Sequence, residues 1–141
     1  MVDAKRTFGI VRLPVILLTA LVCVGILINF LDVFIVMAWW AFVLVACAIA
    51  TLWNGYRTVK EYGLPLSEAG ISGVATWIVP GATGLVIGGI TSFISALLWG
   101  NLEGYEAIAF IIGAIVIVIL TLVGAGIAYV IGWIGGLLAR R

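Results

Sequence analysis

The sequence predicts an all-α integral membrane protein with four transmembrane helices, arranged as two hairpins with the N- and C-termini cytoplasmic. Three observations lead to this fold. Of the 141 residues, 65% are hydrophobic and 9% are charged, whereas soluble proteins carry about 25% charged residues. The basic residues form three clusters, and the apolar stretches between them are about twice the length of one membrane span. Because apolar segments fill most of the chain, we expect one transmembrane domain, residues 1–141.

Each interval between basic clusters accommodates two helices, because one span needs roughly 20 apolar residues. The predicted helices are 13–30, 34–55, 72–99 and 107–138, with a cytoplasmic loop at 56–71. Asn29 and Asp32 mark the turn of the first hairpin, and Glu103 and Glu106 mark the turn of the second. An alternative is one very long helix over 13–53, since no glycine or proline marks the first turn.

The distribution of charge predicts the orientation. With four spans and a cytoplasmic N-terminus, all seven Lys and Arg residues lie on the cytoplasmic side, while Asp32, Glu103 and Glu106 lie outside. The bases are Lys5, Arg6, Arg12, Arg57, Lys60, Arg140 and Arg141. Because no small-residue cleavage site follows the first apolar run, we interpret that run as a retained signal anchor. The predicted localisation is the cell membrane.

Aromatic residues indicate where the predicted helices meet the membrane interface. Trp53, Tyr56, Trp77 and Trp133 are predicted near the inner membrane interface, whereas Trp39 and Trp40 fit an interfacial belt less well.

The cytoplasmic loop is either a plain connector or a docking surface for a cytoplasmic partner. Gly63 is suited to a left-handed helix C-cap, and Pro65 interrupts the helix. Ser67 is the predicted N-cap of the third helix, with Glu68 in its first turn.

Small residues recur at every fourth position on the last two helices. On the third helix they are Gly84, Gly88, Ser92 and Ala96, and on the fourth they are Gly124, Ala128, Gly132 and Gly136. Glycine lowers helix stability in water, but in lipid small-xxx-small faces let two helix backbones approach closely. We therefore predict that these eight residues form helix-packing surfaces, a glycine zipper. Either the two stripes pack on each other within one chain, or at least one faces a second copy.

The polar residues limit the possible chemistry. The sequence contains no histidine, and no charged residue lies within the predicted membrane core, which argues against proton relays and ion-coupled transport. Cys23 and Cys47 are predicted as packing residues at different depths. The acids at the outer turns are solvated turn residues or, alternatively, part of a weak divalent-cation site. The threonines and serines of the last two helices either line a narrow path or bond to carbonyls of their own helix.

The predicted function is therefore that of a non-catalytic small membrane protein, a structural or accessory subunit that packs or assembles through its glycine-striped helices. We expect no enzymatic activity, no cofactor, no metal and no nucleic-acid partner. The expected partners are the lipid bilayer and either further copies of the chain or subunits of a larger membrane complex. The alternative is an oligomeric pore or passive channel, a class that includes holin-like proteins.

Overall fold

The computed structural model describes residues 4–28, 33–98 and 105–141. In these ranges the chain forms four helices, α1 (Ala4–Ile28), α2 (Val33–Lys60), α3 (Leu66–Leu98) and α4 (Tyr105–Leu138). By length and composition, each contains a segment able to cross a membrane: Gly9–Ile28, Phe34–Lys60, Leu66–Thr91 and Val118–Leu138. The prediction of an all-helical, multi-pass membrane protein is confirmed at this level.

The helices extend beyond the limits predicted for the lipid. Helix α1 begins at Ala4, α2 continues to Lys60, and α3 begins at Leu66, whereas the predicted bounds at these ends were 13, 55 and 72. Backbone hydrogen bonding and capping residues determine where a helix ends, so a helix can continue into the interfacial region. The predicted loop at 56–71 is correspondingly reduced to residues 61–65.

Gly63 ends α2 as the sequence predicts. Its φ angle is 63°, and no other described residue has a positive φ. The Gly63 N–H donates to the Val59 carbonyl at 3.1 Å, and the Leu64 N–H donates to the Thr58 carbonyl at 3.1 Å. The first of these bonds is the one expected of a left-handed C-cap, a conformation that glycine adopts without steric cost.

The start of α3 differs from the prediction. The Pro65 carbonyl accepts hydrogen bonds from the Glu68 N–H at 3.0 Å and the Ala69 N–H at 3.4 Å, so the helix begins directly after the proline. Ser67 therefore lies within the first turn and is not the N-cap. Glu68 does lie in that turn, where an acid interacts favourably with the helix dipole.

Helices α2 and α3 form the centre of the bundle. Each contacts every other helix, whereas α1 and α4 have no close backbone contact within the described ranges. Gly55 faces Gly132 and Val59 faces Gly136, so α2 and α4 run in the same direction. The connection at 61–65 reverses the chain between α2 and α3. We call the end of the bundle that contains this connection the loop end, and the opposite end the far end.

Helix α1 packs on α2 through a hydrophobic core. The buried residues of this core are Leu18, Val22, Ile26, Val43 and Cys47. The Trp39 indole donates a hydrogen bond to the Leu21 carbonyl at 3.2 Å, and Gly25 leaves space for the rings of Trp39 and Trp40. In one straight helix, residues 21 and 39 would be about 27 Å apart. The alternative of a single helix over 13–53 is therefore wrong, and the two indoles pack against α1.

The remaining aromatic residues divide between surface and interior. At the loop end, Trp53 is 55% exposed and Trp133 is 40% exposed, and the Trp53 ring stacks on Tyr56 with centroids 6.0 Å apart. Trp77, predicted at the same interface, instead packs its indole against Gly124 of α4. A ring that fills the space left by a glycine contributes to helix packing, so Trp77 belongs to the interior of the bundle.

Candidate functional site

The small-residue stripe on α4 lies inside the bundle. All four of its members are buried: Gly124, Ala128, Gly132 and Gly136. A methyl group at Gly132 would overlap the carbonyl oxygen of Ala69 on α3. Gly73 of α3 likewise faces the carbonyl oxygen of Ala128. The missing side chains thus bring α3 and α4 to backbone contact, as small residues do between membrane helices.

Helix α2 joins the same contact through glycines outside the predicted stripes. A side chain at Gly55 would collide with the Gly132 carbonyl, and one at Gly135 would collide with the Leu52 carbonyl. We call this meeting of α2, α3 and α4 the closed interface; its small residues are Gly55, Ala69, Gly73, Ala128, Gly132, Gly135 and Gly136. The sequence pattern did not single out Gly55 or Gly73, because neither belongs to a run at four-residue spacing that is aligned with the predicted stripes.

A buried polar cluster lies beside the closed interface. The Asn54 side chain is fully buried, and its Nδ2 donates to the Thr76 hydroxyl at 2.8 Å. The Thr76 hydroxyl in turn donates to the Ser72 carbonyl at 2.7 Å, and the Thr58 hydroxyl donates to the Asn54 carbonyl at 2.7 Å. Most of these polar groups are therefore satisfied without water, which is the condition for burying them in an apolar bundle.

Asn54 is the functional candidate that the sequence pattern missed. It is the single asparagine within the apolar run of α2, and polar residues inside a membrane span are costly unless they have a role. Its Oδ1 is buried and has no hydrogen-bond partner. The cross-helix bond to Thr76 therefore fixes α2 against α3 while half of the amide stays unsatisfied.

The predicted stripe on α3 is not brought onto the stripe of α4. A methyl group at Gly84 would meet the Val22 side chain of α1, and one at Gly88 would meet no atom of the described chain within 4 Å. The side chains of Ser92 and Ala96 lie outside the described set. The α3 surface that does meet the α4 stripe is nearer the loop end, at Ala69 and Gly73.

Gly84 and Gly88 instead border an apolar cavity of about 340 Å³. All four helices contribute to its lining, which includes the indoles of Trp40 and Trp77 and the Cys47 side chain. We call this space the open cavity. Gly88 lies about 22 Å along α3 from Gly73 at 1.5 Å rise per residue, so the open cavity is displaced from the closed interface toward the far end.

Two threonine hydroxyls of α3 form hydrogen bonds within their own helix. The Thr83 hydroxyl donates to the Val79 carbonyl at 2.9 Å, and the Thr91 hydroxyl donates to the Ile87 carbonyl at 2.9 Å. For these two residues the prediction of own-helix bonding is confirmed. The side chains of Ser92 and Ser95 lie outside the described set.

Other predicted positions are separate from both features. Cys47 belongs to the α1–α2 core, while Cys23 is half-buried and Cys47 is buried, both with free thiols. Asn29, Asp32 and Glu103 lie outside the described residues, as does the side chain of Glu106. Among the residues that are described, no three acid, cysteine or histidine side chains gather into a group that could hold a metal ion.

In comparisons with known proteins, no family model, no curated protein and no solved structure matches this chain.

Proposed function

We propose that the protein is a non-catalytic structural or accessory subunit of a membrane assembly, and that it associates through the face of α3 around Gly88 and Gly89. One observation carries this proposal. The stripe glycines of α4, Gly124, Gly132 and Gly136, lie against other helices of the same chain, whereas Gly88 and Gly89 face space that the described chain does not occupy.

The physical argument for association compares two glycines, one packed inside the chain and one open. Glycine weakens a helix relative to alanine, and in lipid the compensating gain is close approach of another backbone. At Gly132 that gain is made inside the chain, through the Ala69 carbonyl. At Gly88 no residue that the structure describes makes an equivalent contact, and a helix from a second copy or another subunit would supply it.

The proposal includes the orientation of the chain, two helical hairpins with both termini in the cytoplasm. In support, the described bases are near the ends of helices that converge at the loop end: Arg12, Arg57, Lys60, Arg140 and Arg141. Clustering of Lys and Arg beside the ends of spans marks the cytoplasmic face. Labelling of single cysteines introduced at the C-terminus and at Tyr62, with a membrane-impermeant reagent in intact cells, tests this orientation.

The association is tested with Gly88→Leu and the matched control Gly126→Leu. Neither glycine has a described neighbouring atom within 4 Å of an added Cβ atom, and the helical content of both variants is measured first to establish that they fold. We expect Gly88→Leu to reduce self-association or subunit capture, measured by energy transfer between labelled chains and by native mass in detergent. Gly126→Leu should leave association unchanged. Normal assembly of Gly88→Leu would contradict the proposal.

The same preparation tests the alternative of a pore. A water-filled path needs polar groups that face it, and the Thr83 and Thr91 hydroxyls instead bond to carbonyls of α3. We therefore expect liposomes that contain the protein at high density to retain a small dye. Release of the dye that depends on protein density would favour the pore.

A further inference from the structure

A second concave surface lies between α1 and α3 and borders a shallow, open space of about 370 Å³. It shares no lining residue with the open cavity. Its lining consists of Arg12, Val15, Ile16, Thr19, Val79 and Thr83. We call it the α1–α3 groove. It combines a charged group, an apolar wall and hydroxyl groups.

The Arg12 guanidinium supplies the charge of the groove. Arg12 is exposed and lies at the start of the Gly9–Ile28 span. Arg57 forms an ion pair with Glu61, and among the described residues no ion pair involves Arg12. An arginine at the edge of a span places its guanidinium at the level of the lipid headgroups, where a phosphate is a bidentate acceptor.

The Thr19 hydroxyl lies deeper in the groove and has no partner. Its Oγ1 is buried and makes no hydrogen bond. Other helix threonines behave differently: Thr58, Thr76 and Thr83 each donate to a carbonyl four residues earlier. A buried hydroxyl without a partner is unfavourable. Thr19 lines the groove, and rotation about its χ1 would turn the hydroxyl toward an acceptor oxygen of a ligand there.

We propose that the α1–α3 groove binds one anionic phospholipid, with its phosphate on Arg12 and an ester oxygen accepting the hydrogen bond of Thr19. These two residues are about 10 Å apart along α1, and Val15 and Ile16 form apolar wall between them. The ligand must therefore be an extended amphiphile with an anionic end. A free phosphate would meet the arginine but would leave the deeper hydroxyl and the apolar wall uncovered. The groove is separate from the Gly88 face, so this site is independent of the proposed assembly.

The test is native mass spectrometry of the full chain titrated with phosphatidylglycerol or with phosphatidylcholine of the same acyl chains. We expect tighter binding of phosphatidylglycerol, by about fivefold for one basic residue at the headgroup level. The variant Arg12→Gln should abolish this preference, and the control Arg140→Gln, at an exposed base outside the groove, should retain it. Equal binding of the two lipids, or a preference that survives in Arg12→Gln, would overturn the proposal.

The Thr19 hydroxyl is tested with Thr19→Val, which keeps the shape of the side chain, and Thr19→Ser, which keeps the donor. We expect Thr19→Val to weaken the binding of both lipids by about threefold, as for one hydrogen bond in a membrane protein, and Thr19→Ser to bind as the parent does. Unchanged binding by Thr19→Val would overturn the role of the hydroxyl. Competition by glycerol phosphate at the same concentration as the lipid would show a free-anion site and overturn the lipid assignment.

Discussion

The two ends of α3 use the same kind of residue in opposite ways. Near the loop end, Gly73 lies against the Ala128 carbonyl, and Ala69 lies against Gly132. Toward the far end, Gly84 meets one side-chain methyl of Val22, and Gly88 meets no described atom. The residue type and the spacing are similar along the helix. The segment near the loop end, however, is packed against the backbone of α4, whereas the segment toward the far end borders the open cavity.

This difference shows that regularly spaced small residues give a helix a face without bulky side chains, but do not determine which helix packs against it. A face becomes a tight contact only where another small residue allows the opposing backbone to approach. Around Gly132 the neighbouring helices supply Gly73 and Gly55. Beside Gly88, the open cavity is lined by large side chains such as Trp40 of α2 and Leu85 of α3 itself.

The largest expected effect tests the closed interface through Gly132→Ala. The added methyl group would overlap the Ala69 carbonyl oxygen, and a backbone atom cannot rotate away as a side chain can. We expect a loss of about 1 to 3 kcal/mol in the free energy of unfolding, the usual cost of overpacking. Reversible unfolding in mixed micelles measures it.

The control for this variant is Gly126→Ala on the exposed side of the same helix, where the methyl group has no described neighbour within 4 Å. Its stability should be unchanged or slightly raised, because alanine favours the helix. Equal stabilities of Gly132→Ala and Gly126→Ala would mean that the backbone contact at Gly132 is not tight.

An intermediate effect is expected for the hydrogen bond between Asn54 and Thr76, at 2.8 Å beside the closed interface. A double-mutant cycle with Asn54→Ala and Thr76→Val isolates their coupling from changes in packing. We expect a coupling of about 0.6 kcal/mol, with an upper limit of about 1.7 kcal/mol. Strictly additive losses in the two single variants would show that the bond does not fix α2 against α3.

The smallest expected effect is at Gly84→Ala. The new methyl group would lie 2.8 Å from a methyl carbon of Val22, which can shift because it is the end of a side chain. We expect the free energy of unfolding to fall by less than the coupling of about 0.6 kcal/mol expected for Asn54 and Thr76, measured by the same unfolding assay.

The double variant Gly84→Ala/Val22→Ala provides the check. Val22→Ala removes the methyl carbon that a side chain at position 84 would meet, so adding Gly84→Ala to Val22→Ala should leave the free energy of unfolding nearly unchanged. If Gly84→Ala lowered the free energy of unfolding as much as Gly132→Ala does, the two ends of α3 would not differ in how tightly they are packed.

The sequence predicted the helices and one cap because those depend on local features. Apolar length determined the four spans, and a glycine followed closely by a proline predicted the left-handed turn at Gly63. The start of α3 was predicted less accurately, at 72, whereas the helix begins at Leu66. Capping bonds, such as those of the Pro65 carbonyl, are a property of the folded backbone.

The packing partners could not be read from the sequence, because periodicity describes one helix at a time. The α4 stripe was identified, but its contacts with Ala69 and Gly55 depend on how the helices cross. Trp77 illustrates the same limit: its type favours a membrane interface, yet a facing Gly124 makes room for it inside the bundle. Asn54 was overlooked because a lone polar residue has no periodic signal.

The separation of α1 from α4 within the described ranges has a consequence for assembly of the fold. Both helices pack on the central pair α2 and α3, and within the described ranges not on each other, so we expect the contact of α2, α3 and α4 to form without the first helix. Supplying residues 1–28 as a separate peptide should restore the bundle by complementation in the membrane, in whichever order the two pieces are inserted.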